Sequence, residues 1–423
     1  MMILKQSATI RVLRPDVLTL VVAAPLTVLV AGLPGGVHDV VRLEPAKAGN
    51  VAAVQGLGDF DMRGASTPRA PIRALGRSLT KSGVGALIRS PGQRRLGGGC
   101  GKAAGVPAQS AVYCWDKEDF TTRTWVPQGV TSVSDAAADE SFDGRPMLVS
   151  WYAATGIRVT FVNPDRRTYR HVLLVYPTMK GRQATYGDIG VHAGGIAWFG
   201  NKLYVADTRA GLREFDMGQI YDLGQSKAGS TENPGWVGRH GDKYYAHGYR
   251  YVMPQTGSWQ YVQGKAPLNR CRGAGPLRTS WTSIDRTGWQ QPVLIAGEYC
   301  AAARPRGRVV TWPLRVGTGL GGPGDIARAT WAATLPDRKI QGGVRTHGYW
   351  WFSRNRDDGS RERRGELLLT ARDWWGWDDV VRRPASYGPE DLSCFRGQRR
   401  IWTVGEHAGK RALWGTPAPP CGY

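Results

Sequence analysis

The stretch His192-Ala-Gly-Gly-Ile-Ala-Trp-Phe-Gly-Asn-Lys-Leu-Tyr-Val-Ala-Asp-Thr208 decides the fold. Its large apolar residues alternate with small or polar ones on both sides of Gly200-Asn201; they are Ile196, Trp198, Leu203 and Val205. Alternation with a period of two predicts β-strands, and a Gly-Asn pair supplies the positive φ angles of a tight hairpin. Arg213-Glu-Phe215 then predicts a third strand. The stretch therefore indicates an antiparallel sheet built from consecutive short strands.

The same pattern recurs further along the chain. Gln341-Gly-Gly-Val344 is followed by a turn at Gly348, and Glu390-Asp-Leu-Ser393 is followed by a turn at Gly397. With weaker copies included, six repeats begin at Gln128, Ala193, Pro234, Trp281, Gln341 and Glu390. A repeat of about 40–50 residues, each with three or four short strands, is typical of β-propellers. We therefore predict an all-β fold, a six-bladed β-propeller over residues 112–423, with five or seven blades as alternatives.

The N-terminus resembles an export signal. Three cationic residues, Lys5, Arg11 and Arg14, precede an uncharged and mostly apolar run from Val17 to Leu33. This order is typical of a signal peptide, so we expect residues 1–33 to be removed on export. The alternative is an uncleaved membrane anchor, because the run approaches the length that spans a bilayer.

Residues 34–111 are predicted to be a flexible basic linker. Residues 62–111 carry nine basic side chains and no acidic one, and they are rich in Gly, Pro, Ser and Ala. They show neither strand nor helix periodicity, as is usual for a mobile segment. The alternative function for this segment is an arm that holds the protein on an anionic wall polymer.

The net charge indicates which partners the protein favours, and the cysteines indicate the compartment in which it works. The formal net charge of +22 favours anionic partners such as acidic polysaccharide, teichoic acid or nucleic acid. No groove-reading motif accompanies the charge, so sequence-specific nucleic-acid recognition is not predicted. The six cysteines include no Cys-x-x-Cys pair and no His cluster, which argues against zinc. They suit an extracellular protein with disulfides, and Cys271–Cys300 is the favoured pair because both would flank one blade and its neighbouring loop.

Three segments resemble a known family. His192-Ala-Gly-Gly-Ile196, Tyr204-Val-Ala-Asp-Thr208 and Gly388-Pro-Glu-Asp-Leu-Ser393 are similar to a largely uncharacterised family of actinobacterial secreted proteins taken to be propeller-like, over about residues 112–415. A looser similarity is to gluconolactonase-like and NHL-type six-bladed propellers. Their metal site uses Glu, Asn and Asp from different blades. Glu390 matches the general position of such a Glu but no Asn does, so no metal ligand is assigned, and calcium is a possible cofactor without a supporting motif.

Propeller geometry places the candidate site at the channel mouth. The first strand of each blade lines the channel, so Gln128, His192, Gln341 and Glu390 should converge there. Glu298 and Glu406 each end a second strand, where Asp207 and Arg354 stand in other blades. The predicted catalytic residues are His192, Glu298, Glu390 and Glu406. The predicted ligand-binding residues are Gln128, Tyr204, Asp207, Gln341, Arg354 and Trp375.

Each of these residues also has a purely structural interpretation. His192 can be a histidine hydrogen-bonded within a blade, and Glu390 a strand-end carboxylate bound to backbone amides or to an arginine. The Trp374-Trp-Gly-Trp377 loop can stack on sugars or plug a blade edge.

Two chemistries fit these residue types. A pair of carboxyl groups can run glycoside hydrolysis. A His, a Tyr and an Arg, here His192, Tyr204 and Arg354, can run β-elimination on a uronate as in a polysaccharide lyase. We predict a secreted, monomeric protein that binds or processes an extracellular anionic carbohydrate or cell-wall polymer at the channel mouth. It could also be associated with the cell wall. A membrane is a partner only if the N-terminal segment is uncleaved. The alternative is a non-catalytic propeller scaffold that binds protein or wall polymer.

Overall fold

The computed structural model describes residues 56–268, 270–287, 291–356, 361–373 and 376–421. The predicted signal peptide or anchor, the linker residues 34–55, and Trp375 lie outside these ranges. Across the described ranges, no helix combines the length and the apolar character that crossing a bilayer requires.

The predicted hairpin is present. Ile196–Phe199 pairs antiparallel with Lys202–Asp207, which pairs antiparallel with Gly211–Asp216. Gly200 forms the turn with a φ of +56°, a conformation that favours glycine. The local pattern of alternating apolar residues and a turn glycine therefore predicts this part of the fold correctly.

Twenty of the described strands can be grouped into five antiparallel sets of four, which we call units 1 to 5; units 1 and 2 are joined in one continuous sheet. Unit 1 contains Val126–Ser132, Met147–Ala153, Gly156–Asn163 and Thr168–Lys180. Unit 2 contains Ile196–Phe199, Lys202–Asp207, Gly211–Asp216 and Tyr251–Tyr261. Unit 3 contains Trp281–Asp285, Val293–Gly297, Arg308–Pro313 and Trp331–Thr334. Unit 4 contains Ile340–Thr346, Tyr349–Arg354, Arg364–Thr370 and Val381–Tyr387. Unit 5 contains Ser393–Phe395, Arg400–Val404, Leu413–Pro417 and, from far upstream, Ala111–Tyr113.

Shorter elements surround the units. Among the described residues, the α-helices are Arg69–Ser78, Val84–Arg89, Lys117–Thr121 and Val133–Ala136. The 3-10 turns are Leu57–Phe60, Met217–Gln219, Arg396–Gln398 and Pro419–Cys421. The further strands are Met62–Ser66, Arg94–Arg95, Gln183–Asp188, Tyr221–Asp222, Val237–His240, Lys243–Ala246 and Ile326–Ala327.

The first strands of the five units contact one another in a closed ring, in the order of the units. Hydrogen bonds join neighbouring units within this ring. Trp198 N donates to Thr131 Oγ1 at 3.1 Å, and Ser283 Oγ donates to the Gly343 carbonyl at 2.5 Å. Unit 5 draws its fourth strand from Ala111–Tyr113, so pairing between distant parts of the chain completes this unit. The result is an all-β, propeller-like fold.

Glycine permits the close approach of strands at the centre of the ring. A Cβ at Gly195 would lie 2.3 Å from Thr282 N, and one at Gly342 would lie 2.5 Å from Asp391 Cα. Both distances are too short for a side chain, and the obstacle in each case is backbone that cannot move aside. The Gly-Gly pairs of the repeat therefore serve packing between units rather than turns.

The described strands can be grouped into five four-stranded units, and five blades is one of the stated alternatives to six. The repeats that begin at Gln128, Ala193, Trp281, Gln341 and Glu390 each lead into a unit. The repeat at Pro234 does not, because Val237–His240 and Lys243–Ala246 form a separate two-stranded sheet. The next strand, Tyr251–Tyr261, pairs in parallel with unit 1 and antiparallel with unit 2. The sequence pattern assigns Tyr251–Tyr261 to a sixth blade, because the strands it pairs with are distant in sequence.

The prediction of a flexible linker is wrong for residues 56–111, which form strands and helices in the structure. Met62–Ser66 pairs antiparallel with the end of Tyr251–Tyr261, and the helix Arg69–Ser78 packs Leu75 against the outer strand of unit 1. Leu87 and Ile88 of the next helix join the main hydrophobic core. The buried helix residues Pro71 and Leu75 stand four residues apart on one helical face, a signal that the surrounding Gly and Arg obscure.

Three disulfides connect all six cysteines. Cys271–Cys300 confirms the predicted pair, and the others are Cys100–Cys114 and Cys394–Cys421. Cys100–Cys114 ties the corrected N-terminal segment to the strand that completes unit 5. Large buried aromatic residues fill the units, among them Trp151, Trp198, Trp281, Trp351 and Trp402.

Candidate functional site

Each of the five units contributes one polar residue to the lining of a cavity of about 570 Å³. Four of these residues lie in or just before the first strand of their unit, and the fifth follows a second strand. The contributors, in the order of units 1 to 5, are Gln128, His192, Ser280, Gln341 and Glu406. The other lining residues are Gly190, Val191, Asp207, Thr208, Arg209, Leu268, Arg278, Tyr299 and Asn355. We call this space the mouth cavity.

The repeat explains why these side chains meet. Gln128 and Gln341 lie near the beginning of a first strand, and His192 and Ser280 lie shortly before one. Glu406 follows the second strand of unit 5, which antiparallel pairing returns to the same end. Equivalent positions of neighbouring units therefore face one space. Of the first-strand residues predicted to converge, Gln128, His192 and Gln341 line the cavity, whereas Glu390 does not.

His192 lies in the mouth cavity with its ring beside that of Tyr152, at a centroid distance of 4.2 Å. Its side chain reaches solvent within the cavity, yet protein atoms surround it on most sides. This burial, with a smaller contribution from the charge of Arg278, lowers the pKa of His192 below its usual 6.5. The imidazole is therefore neutral at pH 7, with one nitrogen able to donate and the other able to accept a hydrogen bond.

Glu406 is the accessible carboxylate on the unit 5 side of the cavity. Its Oε2 accepts a long hydrogen bond of 3.4 Å from Gln128 Nε2, and its Oε1 lies 3.6 Å from His407 Nδ1. About a fifth of its side chain is exposed, 21%. A ligand hydroxyl group can thus reach its oxygens.

Glu390 lies behind the cavity wall rather than on it. It is 1% exposed, and its Oε1 accepts a hydrogen bond of 2.9 Å from Gln341 Nε2. Burial, with the nearby charges of Glu406 and Asp391, raises the pKa of Glu390 well above its usual value. Its contact with the cavity runs through Gln341, so it orients that amide rather than meeting a ligand.

Asp391 ties the first strands together at the centre of the ring. It is fully buried, and its Oδ2 accepts a hydrogen bond from Ile196 N at 3.2 Å. Burial raises the pKa of Asp391 well above its usual value, although backbone N–H groups oppose the shift. Its role is structural, since it joins units 5 and 2.

Two arginines contribute positive charge to the cavity lining. Arg278 Nη1 donates to the Tyr299 carbonyl at 3.3 Å, and Arg209 Nε donates to the Ala266 carbonyl at 3.3 Å. Within the described part of the chain, neither guanidinium has a carboxylate within 4.0 Å. Guanidinium groups match carboxylate and phosphate geometry, so this side suits an anionic group. The repeated sequence pattern predicts neither residue, because both lie in loops outside it.

Other predicted site residues lie elsewhere or are already paired. Glu298 is buried in an ion pair with Arg308 at 2.8 Å and does not line the cavity. Arg354 pairs with Glu366 at 2.8 Å. Asp207 lines the cavity, but it pairs with Arg213 at 2.9 Å.

The residues proposed for β-elimination are not brought together. Tyr204 is a core residue whose hydroxyl accepts a hydrogen bond from Leu320 N at 3.1 Å. Burial raises the pKa of its phenol well above the usual value. Of His192, Tyr204 and Arg354, only His192 lines the mouth cavity.

Comparison with known proteins assigns no family. No protein-family model matches the sequence, and no curated protein matches it. The similar solved structures include hydrazine synthase of Kuenenia stuttgartiensis, at 13% identity and a TM-score of 0.29, covering 68% of this chain and 78% of that one. They also include a glucose dehydrogenase at 9% identity and a TM-score of 0.30, covering 69% of this chain and 96% of that one. Similarity at this level carries no argument about function, and the resemblance to actinobacterial secreted proteins stays a hypothesis.

Proposed function

We propose that this chain is a five-bladed β-propeller that binds an acidic carbohydrate in the mouth cavity. The observation that carries the proposal is the cavity lining, which combines one polar side chain from each unit with Arg209 and Arg278. The cavity volume of about 570 Å³ falls within the range of about 300–1,000 Å³ that small-molecule sites occupy.

The lining offers two kinds of polar group. Arg209 and Arg278 would bind the carboxylate or phosphate of the ligand through charge-assisted hydrogen bonds. Gln128, Gln341 and Glu406 would bind hydroxyl groups of the same ligand. A sugar with one acidic substituent has both kinds of group on one ring.

The geometry supports binding more strongly than hydrolysis. Two-carboxylate hydrolysis needs an acid and a base or nucleophile that both reach the scissile bond. Glu406 is accessible, but Glu390 is shielded by Gln341 and Asp207 is paired with Arg213. A non-catalytic interaction role is compatible with this proposal, because binding requires no reaction.

We also propose that the protein works outside the cell. Three disulfides support this location, since such bonds persist in oxidising compartments. The retention or removal of residues 1–33 is tested by sequencing the N-terminus of the protein recovered from the culture medium.

Calorimetric titration with galacturonic acid and galactose tests the binding proposal. We expect galacturonic acid to bind about tenfold or more tightly than galactose, because a hydrogen bond to a charged group contributes about 1.5–3 kcal/mol. Arg278→Ala should lower galacturonic acid affinity by about tenfold. Arg182→Ala, which removes an exposed charge outside the cavity, is the matched control and should bind normally.

Equal affinity for both sugars, or an unchanged affinity in Arg278→Ala, would contradict the proposal. A glycerol-phosphate polymer, titrated in parallel, separates a phosphate ligand from a uronate.

A further inference from the structure

A second cavity of about 440 Å³ adjoins the mouth cavity. The two share Gly190, Val191, Asp207 and Arg209 as lining residues. We infer that they form one continuous binding groove, and that its ligand is a linear acidic polysaccharide rather than a single sugar. This inference rests on the proposed function of the mouth cavity.

The second cavity is built between unit 2 and the N-terminal strand. Ser66 and Thr67 line it from one side, and Ser258 and Gln260 line it from the outer strand of unit 2. Met62–Ser66 pairs directly with that outer strand, so both walls belong to one sheet. One wall of the second cavity therefore depends on Met62–Ser66, which lies in the segment predicted to be a flexible linker.

An ion pair lies where the two cavities meet. Arg213 donates to Gln255 Oε1 at 2.8 Å and pairs with Asp207 at 2.9 Å. Gln255 is buried, 4% exposed, which restricts the movement of this cluster. Asp207 is consequently held in place at the shared boundary, and Arg213 neutralises its charge.

Three further cations follow one another along the groove. Arg278 lines the mouth cavity, Arg209 lines both cavities, and Lys265 lines the second cavity. Across the residues that the structure describes, none of the three has a carboxylate within 4.0 Å. A single acidic sugar would need only one or two of them. A chain with an acidic group on successive units would neutralise all three.

The second cavity also presents an aromatic surface. Tyr176 lines it and is 37% exposed, although most large apolar side chains of the described residues are buried. An aromatic ring offers an apolar face with a polar tip, which suits the apolar face of a sugar ring. This surface favours a carbohydrate over an acidic peptide as the ligand.

Titration with galacturonic acid and with α-1,4-linked oligogalacturonates of two to six units tests the inference. We expect affinity to rise with length until the second cavity is filled. Lys265→Ala should lower hexamer affinity by about fivefold, the effect of losing one exposed charge contact, and leave monomer affinity unchanged. Tyr176→Ala should act in the same length-dependent way. Lys117→Ala, which removes an exposed charge outside both cavities, is the control.

The outcomes separate the two proposals. If the monomer binds through Arg278 but Lys265→Ala and Tyr176→Ala bind the hexamer as the unaltered protein does, the groove is refuted and the mouth site stands. If neither monomer nor oligomers bind, both proposals fail. If polyglutamate of equal charge binds as tightly as the hexamer, the assignment of a carbohydrate ligand is refuted.

Discussion

Replacing Glu298 with alanine is expected to destabilise the fold, because this residue neutralises a buried arginine. The carboxylate accepts hydrogen bonds from Arg308 N at 3.0 Å, Arg308 Nε at 3.0 Å and Arg308 Nη2 at 2.8 Å. It accepts another from Arg278 N at 3.0 Å. The side chains of Arg308 and Glu298 are 2% and 1% exposed. Its loss would leave the Arg308 guanidinium with only the carbonyls of Gly275 and Pro276 as hydrogen-bond partners among those described.

An uncompensated buried charge costs about 3–5 kcal/mol. We therefore expect Glu298→Ala to lower the free energy of unfolding by that amount. With a denaturant slope of about 3 kcal/mol/M in urea, the unfolding midpoint should fall by about 1–2 M. Tryptophan fluorescence during urea unfolding, with the disulfides intact, measures the shift.

Two further variants identify the cause. Arg308→Met combined with Glu298→Ala removes both charges, so it should be less destabilised than Glu298→Ala alone. Arg328→Ala breaks an exposed contact with Asp61 at 3.7 Å and should cost at most about 1 kcal/mol. A Glu298→Ala protein within about 1 kcal/mol of the unaltered one would refute the reasoning, since the buried charge would then be compensated in another way.

Further predictions concern packing, pH and salt. Gly195→Ala should lower the free energy of unfolding by about 1–3 kcal/mol or more, because its Cβ would meet backbone at 2.3 Å. Gly187→Ala, with no atom within 4 Å of the new Cβ, should change it by about 0.5 kcal/mol at most; calorimetric melting compares the two. Burial lowers the pKa of His171 to about 4 from 6.5, so the unfolded chain binds a proton that the folded one does not between these pH values. The unfolding free energy contributed by this group should therefore fall as pH falls from 6.5 towards 4, and His171→Asn should flatten that slope in urea titrations at several pH values; equal slopes would exclude this residue as the cause. Affinity for an acidic oligosaccharide should fall at least about tenfold between about 50 and 200 mM salt in titration calorimetry, and a salt-independent affinity would contradict a cationic groove. Deleting residues 62–111 should reduce soluble yield and melting temperature, because it removes the paired strand Met62–Ser66.

The repeat could be predicted from sequence because its contacts are local. Ile196–Phe199 and Lys202–Asp207 are separated by two residues, so alternation and one turn glycine suffice to pair them. The number of units was less certain for the opposite reason. Tyr251–Tyr261 pairs with strands far from it in the chain, and nothing in its own residues shows that it completes unit 2 rather than a blade of its own.

Some residues of the site could likewise be predicted from the sequence, and others could not. Repeat position alone placed Gln128, His192 and Gln341 at one cavity, because equivalent positions of a ring must converge. It could not separate Glu298 from Glu406, which both follow a second strand. The tertiary structure decides between them, because Arg308 folds against one carboxylate and buries it, whereas the other stays open to the cavity.

The sequence by itself thus predicted the strand pattern, favoured the Cys271–Cys300 pair that the structure shows, and indicated polar residues at the mouth. Only the tertiary structure decided the order of the N-terminal segment and the positions of Arg209 and Arg278. Strands follow from residues that are neighbours in the chain, whereas the charge and accessibility of a side chain depend on which distant residues pack beside it.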